Sequence, residues 1–383
     1  MQKIKHMHIF LTNIICSNVK INCHLHKFLL KCKYGVMKMK KAVTILDIAN
    51  ELGLSRNTVS KALNGDYVPD KTRKIVLEKA IEMNYKSMNQ NVVNISKKKT
   101  YRLLLLSGKP LNNISFFIPI IRGIENYCYD NNYELLQYIY NKGISSFDSL
   151  CGYLKELHID GIIAIETFEK EFIDNLITLS LPITFIDFCA NTLFHPGNYD
   201  IIETSNREPI YQTTRILNKK YGVKSFSFVG DYTHCLSFQN RYLGMLQALL
   251  LNDIPHKKSD DILRSDNFDY GNPTTLANEI QKLKIIPKCF ICCNDFIARN
   301  VCNALKELNI NVPNDAFVVG YDDAIDSTIC HPTITTIGMN KEFLGAEAVR
   351  TLKFRIENPN IPTREISIES TIIPRESTKR NKE

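Results

Sequence analysis

The sequence predicts a small all-helical head followed by an α/β body, and three observations carry that reading. Two short helix patterns flank a Gly-Leu-Ser turn between Thr44 and Asn64. From Tyr101 onward, short apolar runs alternate with helical stretches, as in a parallel sheet built from strand-helix units. Charge divides in the same place: residues 1–100 carry 19 Lys and Arg against 6 Asp and Glu, a net +13, and residues 101–383 carry 29 against 34, a net −5. A basic head on a mildly acidic body implies that the head meets a polyanion while the body does something else.

With 383 residues, 44% of them apolar, the chain can bury a large core in two or more domains. No uninterrupted apolar run approaches the ~18 to 20 residues of a membrane span, so a membrane role is not expected. The twelve cysteines are scattered without a framework and read as reduced, mostly buried thiols. Cys289 and Cys292 form the one Cys-x-x-Cys, but they lie in a strand pattern where side chains three apart point to opposite faces. No metal site is expected there. Cys23, His24, His26 and Cys32 are zinc-ligand types whose spacing matches no standard finger. Residues 1–41 are expected to be a disordered extension, or to lie upstream of a true start at Met37 or Met39, since they lack the apolar length and cleavage site of a secretion signal.

The head is assigned to residues 42–86. Thr44 caps its first helix, with Asp47 three residues on completing a capping box, and Ile45, Ile48, Ala49 and Leu52 form an apolar stripe. Gly53 ends that helix. Ser55 caps a second, whose Val59, Ala62 and Leu63 pack inward and whose Arg56, Asn57, Ser60 and Lys61 face out. Arg can bond both acceptors of a guanine edge and Asn both groups of an adenine edge, the chemistry a recognition helix needs in a major groove. An ordinary helical hairpin with a solvated face would satisfy the motif alone. Asn64-Gly65-Asp66 is a turn, and a third helix spans about Asp70 to Met83. Residues 87–99 are polar, end in Lys97-Lys98-Lys99, and read in isolation as a linker.

Residues 100–383 form the body. Strands are predicted at Tyr101 to Ser107, Glu134 to Tyr140, Ile162 to Ile165, Ile183 to Asp187, Ser225 to Val229, Cys289 to Cys293 and Phe317 to Tyr321. Helices are predicted at Ile120 to Asn131, Gln212 to Lys220, Arg241 to Leu251 and Ala298 to Leu308, the last followed by Asn309 in a left-handed cap. Ligands of such sheets bind outside the carboxyl ends of strands. That singles out Asp187, Asn294 with Asp295, and Asp322 with Asp323, whose plainer role is to cap loops.

The sequence resembles the LacI/GalR family of bacterial transcription regulators over residues 43 to about 378. The likeness rests on Val43-Thr44-Ile-Leu-Asp-Ile-Ala, Gly53-Leu-Ser55, Thr58-Val59-Ser60-Lys61-Ala-Leu-Asn64-Gly65, Thr72-Arg73 and Asn84-Tyr85 in the head. In the body it rests on Arg241-Tyr-Leu-Gly244, Asn294-Asp295 with Ala298, Pro313 with Asp315, Val319-Gly-Tyr-Asp-Asp323, Pro332 with Thr335-Thr336-Ile337, Gly345 and Arg375-Glu-Ser-Thr378. The resemblance implies a helix-turn-helix head, a hinge helix, and a body of two Rossmann-like subdomains of periplasmic-binding-protein type, joined by crossovers and clamping a small molecule.

On that mapping Arg56, Asn57 and Lys61 enter the groove, Thr44, Ser55, Thr58 and Asn64 touch phosphates, and Ile95 wedges into the minor groove. The effector meets Phe116, Phe117, Asp187, Arg241, Asn294 and Asp322, a set suited to a sugar or polyol. Met88 replaces a usual Pro, Val92 an Ala and Val93 a basic residue, so the hinge helix should form less readily. Ser205 stands for a usual Asp and Asn300 for a usual Gly. The expected protein is a cytoplasmic, nucleoid-associated homodimeric repressor of carbohydrate-utilisation genes. It would bind double-stranded operator DNA and a sugar-like effector, with no cofactor, metal or catalytic residues. The rival readings are an architectural DNA-binding protein with a vestigial cleft, and a sugar-binding protein or enzyme on the same body fold.

Overall fold

The computed structural model describes residues 43–64, 67–83, 85, 100–108, 110–111, 114–141, 146–190, 197–265 and 267–379. They belong to two units, Met1–Lys99 and Thr100–Glu383. The expectations for residues 1–41 and for the hinge, including Met88, Val92, Val93 and the wedge residue Ile95, lie outside the described residues.

In the first unit α1 (Ile45–Leu52), α2 (Arg56–Asn64) and α3 (Asp70–Glu82) share one small core of Ile48, Ala49, Val59, Ala62, Leu63, Val76 and Ala80. The capping box forms as the sequence implies. Asp47 N–H donates to Thr44 Oγ1 at 3.3 Å, and Thr44 N–H donates to Asp47 Oδ2 at 2.7 Å. Gly53 ends α1 at φ 63°, the left-handed region that glycine enters without steric cost.

The body opens with a six-stranded, fully parallel sheet. Its strands are β1 (Arg102–Ser107), β2 (Glu134–Ile139), β3 (Gly161–Ile165), β4 (Ile183–Ile186), β5 (Tyr199–Thr204) and β10 (Glu365–Ile368), in the order β10-β5-β4-β3-β1-β2. Successive side chains of β1 serve opposite cores. Leu103 and Leu105 pack under α4 (Ile114–Asn131) and α12 (Lys341–Glu357). Leu104 and Leu106 pack under α5 (Phe147–Glu156) and α6 (Lys170–Ile177). A strand covered on both faces reads as a continuous apolar run, which is why β1 was legible.

The second half of the body has a parallel sheet in the order β6-β7-β8, from β6 (Phe226–Val229), β7 (Cys289–Cys292) and β8 (Phe317–Val319). Around it lie α7 (Arg207–Tyr221), α8 (Leu236–Leu251), α9 (Pro273–Lys282), α10 (Asp295–Glu307) and the short α11 (Asp326–Ile329). β9 (Thr336–Gly338) and β11 (Thr371–Ile373) pair antiparallel beside it. The chain therefore passes between the halves after β5, after β9 and after β10, as the periplasmic-binding-protein type requires.

Several elements differ from the sequence reading. Helices α4, α7, α8 and α10 each begin three to six residues earlier than expected, α10 because Asn294 Oδ1 caps it by accepting from Ile297 N–H at 2.9 Å. β5, β10 and α12 escaped the pattern altogether. Seven of the described cysteines are buried and two half-buried, all as free thiols. Burial pushes the Cys128 thiol up to about 12 and raises Cys289, Cys292 and Cys302 as well.

Helices α4 and α12 touch backbone to backbone through glycines. A Cβ on Gly345 would lie 2.0 Å from the Ile120 carbonyl oxygen, and one on Gly123 the same distance from that of Glu342. Gly345→Ala is expected to force the helices apart and cost about 1–3 kcal/mol. Gly152, on α5, faces open space, so Gly152→Ala should instead stabilise by roughly 0.5–1 kcal/mol. Urea denaturation of both variants tests the contrast, and equal midpoints would refute it.

Candidate DNA-reading face and effector cleft

On α2 the buried side is Val59, Ala62 and Leu63, and Arg56, Asn57, Lys61 and Asn64 are exposed. Asn57, Lys61 and Asn64 follow i, i+4, i+7 spacing and so share one face. Ser55 Oγ accepts from Thr58 N–H at 3.0 Å and lies 2.8 Å from Thr58 Oγ1, which fixes both hydroxyls at the helix start. Thr44 Oγ1 donates to Asp47 at 2.7 Å. The three hydroxyls expected at phosphates are thus engaged at helix starts, and the three side chains expected to read bases, Arg56, Asn57 and Lys61, are exposed on α2.

The body contains a cavity of about 570 Å³ at the carboxyl ends of strands from both halves. Phe116, Phe117, Asp187, Arg241, Asn294 and Asp322, the six residues expected at the effector, all line it. Phe116 and Phe117 meet edge to face with centroids 5.0 Å apart. Phe117 is also a core residue beneath α12, so it packs in the core and faces the cavity at once. Asn294 lines the cavity while its oxygen caps α10. Asp295 does not line the cavity: it is fully buried, accepting from Thr336 Oγ1 at 2.7 Å and Ala324 N–H at 2.8 Å. Asp323 instead pairs with Arg375 at 2.6 Å.

Arg241 is the centre of the cavity's back wall. It is 3% exposed, which overturns the alternative of a solvent-facing helix salt bridge. Its Nε donates to Asn206 Oδ1 at 2.9 Å, its Nη1 to the Cys293 carbonyl, and its Nη2 lies 3.3 Å from Asp322 Oδ1. The guanidinium also stacks 3.5 Å from the Tyr321 ring centroid. Burial alone would depress the Arg241 pKa, and the Asp322 charge more than offsets that. Burial likewise pushes Asp322 up to about 6, opposed by Arg241 and Lys341. Gly244 explains the spacing of the Arg241-x-x-Gly motif: a Cβ there would sit 2.3 Å from the Arg207 carbonyl oxygen, so glycine lets α8 close on α7.

Non-glycine residues with positive φ fall into two groups. Asn132, His158, Asp253 and Asn309 follow helix ends, with Asn309 in the expected left-handed cap. Glu166, Asp187, Asp322 and Asp323 follow β3, β4 and β8, and the first three line the cleft while Asp323 turns to Arg375. Asp187 accepts from its neighbour Phe188 N–H at 2.7 Å and, across the cleft, from Ser237 N–H in the first turn of α8 at 3.1 Å.

Sequence reasoning missed Glu203, Asn206, His234 and the aromatic residues Phe168, Phe238 and Phe268. Glu203 is buried at the end of β5, and burial, reinforced by Asp187, pushes its carboxyl up to about 8. Asn206 joins it to the rest, donating to Glu203 Oε2 at 3.2 Å and Ser237 Oγ at 3.0 Å while accepting from Arg241. Its place immediately after β5 was the available signal, lost because β5 itself was not recognised.

The model for the periplasmic binding protein-like domain matches residues 219–378. The HTH-type transcriptional repressor PurR of Pasteurella multocida is 26% identical over 340 residues, covering 88% of this chain and 98% of its own. The ribose operon repressor of Haemophilus influenzae is 28% identical over 343 residues, covering 87% and 98%. Among solved structures, the regulator CelR in complex with cellobiose superposes with a TM-score of 0.63 at 19% identity, covering 88% of this chain and 99% of that one. The lac repressor dimer bound to operator and an anti-inducer gives 0.59 at 21%, covering 89% and 100%. A helix-turn-helix head with a two-part, cleft-bearing α/β body defines a ligand-responsive transcriptional regulator. Head, body and relatives agree on its kind: the chain resembles regulators of the LacI/GalR family.

Proposed function

We propose that the protein is a cytoplasmic homodimeric repressor that reads a pseudo-palindromic operator with α2 of each protomer and is switched by a sugar-like effector in the body cleft. The observation that carries the switch is the placing of Arg241 and Asp322 at the crossovers. Tyr321, beside Asp322, donates through its hydroxyl to the Ser205 carbonyl at 2.7 Å and lies 3.2 Å from Ser370 Oγ. Lys341 donates to the carbonyls of Asp322 and Asp323. All three connections between the body halves therefore meet one loop of the cleft wall. A ligand contacting Arg241 and Asp322 acts where the angle between the halves is set. It shifts operator affinity by as much as its affinities for the two arrangements differ. That the relatives include repressors and a cellobiose-bound regulator supports both halves of this reading. The cleft is assigned a binding role and no catalytic one.

Arg56→Ala and Asn57→Ala are each expected to reduce discrimination between operator and scrambled duplex by roughly ten- to a hundred-fold, the ~1–3 kcal/mol of a bidentate base contact. Lys61→Ala should lose a smaller share. Titration of labelled duplexes by fluorescence anisotropy reads this directly. If both substitutions weaken all sequences alike, α2 is not the reading element.

A further inference from the structure

The Arg241 chamber has a neighbour. A second cavity of about 440 Å³ shares Glu166, Phe168, Asp231 and His234 with it, so these four residues stand between two adjoining spaces. Phe168 and His234 meet edge to face, centroids 4.9 Å apart, one contributed by the loop after β3 and the other by the loop after β6. The partition is thus made of both body halves.

The second chamber is a built site by the same logic as the first. It lies at the carboxyl ends of β1, β2 and β3, reached through Gly108, Tyr140 and Thr167. Gly108 is required there, since a Cβ would stand 2.4 Å from the Glu166 carbonyl oxygen. Tyr140 stacks on Phe172 with centroids 4.0 Å apart and planes 16° from parallel. Aromatic surface with carboxylates and hydroxyls from Glu169, Thr167 and Thr233 suits a neutral sugar ring, which offers apolar C–H faces and a rim of hydroxyls. Charge selects further. Seven acids line the two chambers among the described residues, Glu166, Glu169, Asp187, Glu203, Asp231, Asp269 and Asp322; with Glu203 holding its proton at neutral pH, the other six face one guanidinium, and Arg241 already pairs with Asp322. A phosphorylated sugar would enter against that field.

We propose that the effector is an uncharged saccharide of at least two rings, one seated beside Arg241 and the next in the Tyr140–Phe172 chamber, with the linkage passing Phe168 and His234. The inference rests on the reading of the cleft as an effector site and adds the length and charge of its ligand.

The test is calorimetric titration of the full chain with neutral monosaccharides, the disaccharides built from them, and the corresponding 6-phosphates. A disaccharide is expected to bind about ten-fold or more tighter than its constituent monosaccharides, and the phosphates to bind weakest. Thr233 is exposed, so Thr233→Trp fills the second chamber without disturbing the core. It should erase the disaccharide advantage by lowering disaccharide affinity far more than monosaccharide affinity, and Tyr140→Ala should act in the same direction. Equal affinity for one and two rings, tightest binding of a phosphate, equal losses for both ligand lengths in Thr233→Trp, or no saccharide binding at all would each overturn the proposal. The regulator reading is separated by measuring operator binding in parallel. Sequence-specific operator binding that no saccharide alters leaves the regulator standing and removes only the ligand assignment.

Discussion

Asp200→Ala is expected to destabilise the body by about 3–5 kcal/mol, the cost of leaving a buried charge without its partner. Asp200 lies in β5 and is fully buried. Its carboxylate accepts from Arg355 Nε at 2.9 Å and from Arg355 Nη2, and from Arg364 Nη2 at 2.7 Å and Arg364 N–H at 2.8 Å. Arg355, also fully buried, comes from α12, and its remaining donors reach the carbonyls of Ile361 and Pro362. One carboxylate therefore ties α12 and the approach to β10 onto β5. Removing it strands the Arg355 guanidinium in the core. Arg355→Met combined with Asp200→Ala should recover part of the loss, because no unpaired charge then remains. Urea denaturation at neutral pH measures both, and a loss under about 1 kcal/mol in the single variant would show the pair to be dispensable.

The pH dependence of this triad has a definite sign. Burial alone would raise the Asp200 pKa, and the bonds from Arg355 and Arg364 more than offset it, so the folded value lies below the ordinary 3.8. Its stabilisation is present above that ordinary value and is lost as pH falls through the folded one.

Glu203→Gln is expected to stabilise the protein at pH 8 to 9 and to flatten its stability profile. The folded pKa of Glu203 is about 8 against an ordinary 4.5, so between those values the folded state holds a proton that the unfolded state releases. Stability then falls as pH rises through this window. At about 1.4 kcal/mol per unit, discounted for relaxation around a buried carboxylate, the penalty at alkaline pH is on the order of 3 kcal/mol. Asp322, at about 6 against 3.8, adds a smaller decline of the same sign on the acid side of the window. Gln keeps the shape of the protonated acid and does not ionise, so melting temperatures from pH 5 to 9 should decline less in the variant. Parallel curves would exclude Glu203 as the source. At neutral pH the protonated carboxyl is also a donor on the cleft wall, complementing the acceptor Asp187.

The head was legible because its determinants are local. Thr44 with Asp47, Gly53 and Ser55 act over three or four residues, and the Val59, Ala62 and Leu63 stripe needs only helical periodicity to be seen. The central strands were legible for a related reason: buried on both faces, β1 and β3 are nearly unbroken apolar runs. β5 has the same burial but reads Tyr-Asp-Ile-Ile-Glu-Thr, and its two acids conceal it. Asp200 is tolerated there only because Arg355 arrives from 155 residues away, and Glu203 because the fold keeps it protonated.

The six expected cleft residues came from family likeness, with Asp187, Asn294 and Asp322 also marked by their places at strand ends, and all six line one cavity. What tertiary structure alone decided was how they are held: Arg241 buried among Asn206, the Cys293 carbonyl, Asp322 and Tyr321, at the point where three chain crossings meet. The second chamber belongs to the same class, since Phe168 and His234 become neighbours only when the two halves close on each other. The sequence by itself determined the caps, the turn and the apolar strands, whose energies depend on near neighbours along the chain. The buried charges and the shape of the cleft were decided by the tertiary structure, because a charge is stable in a core only beside a partner, and that partner lies far away in sequence.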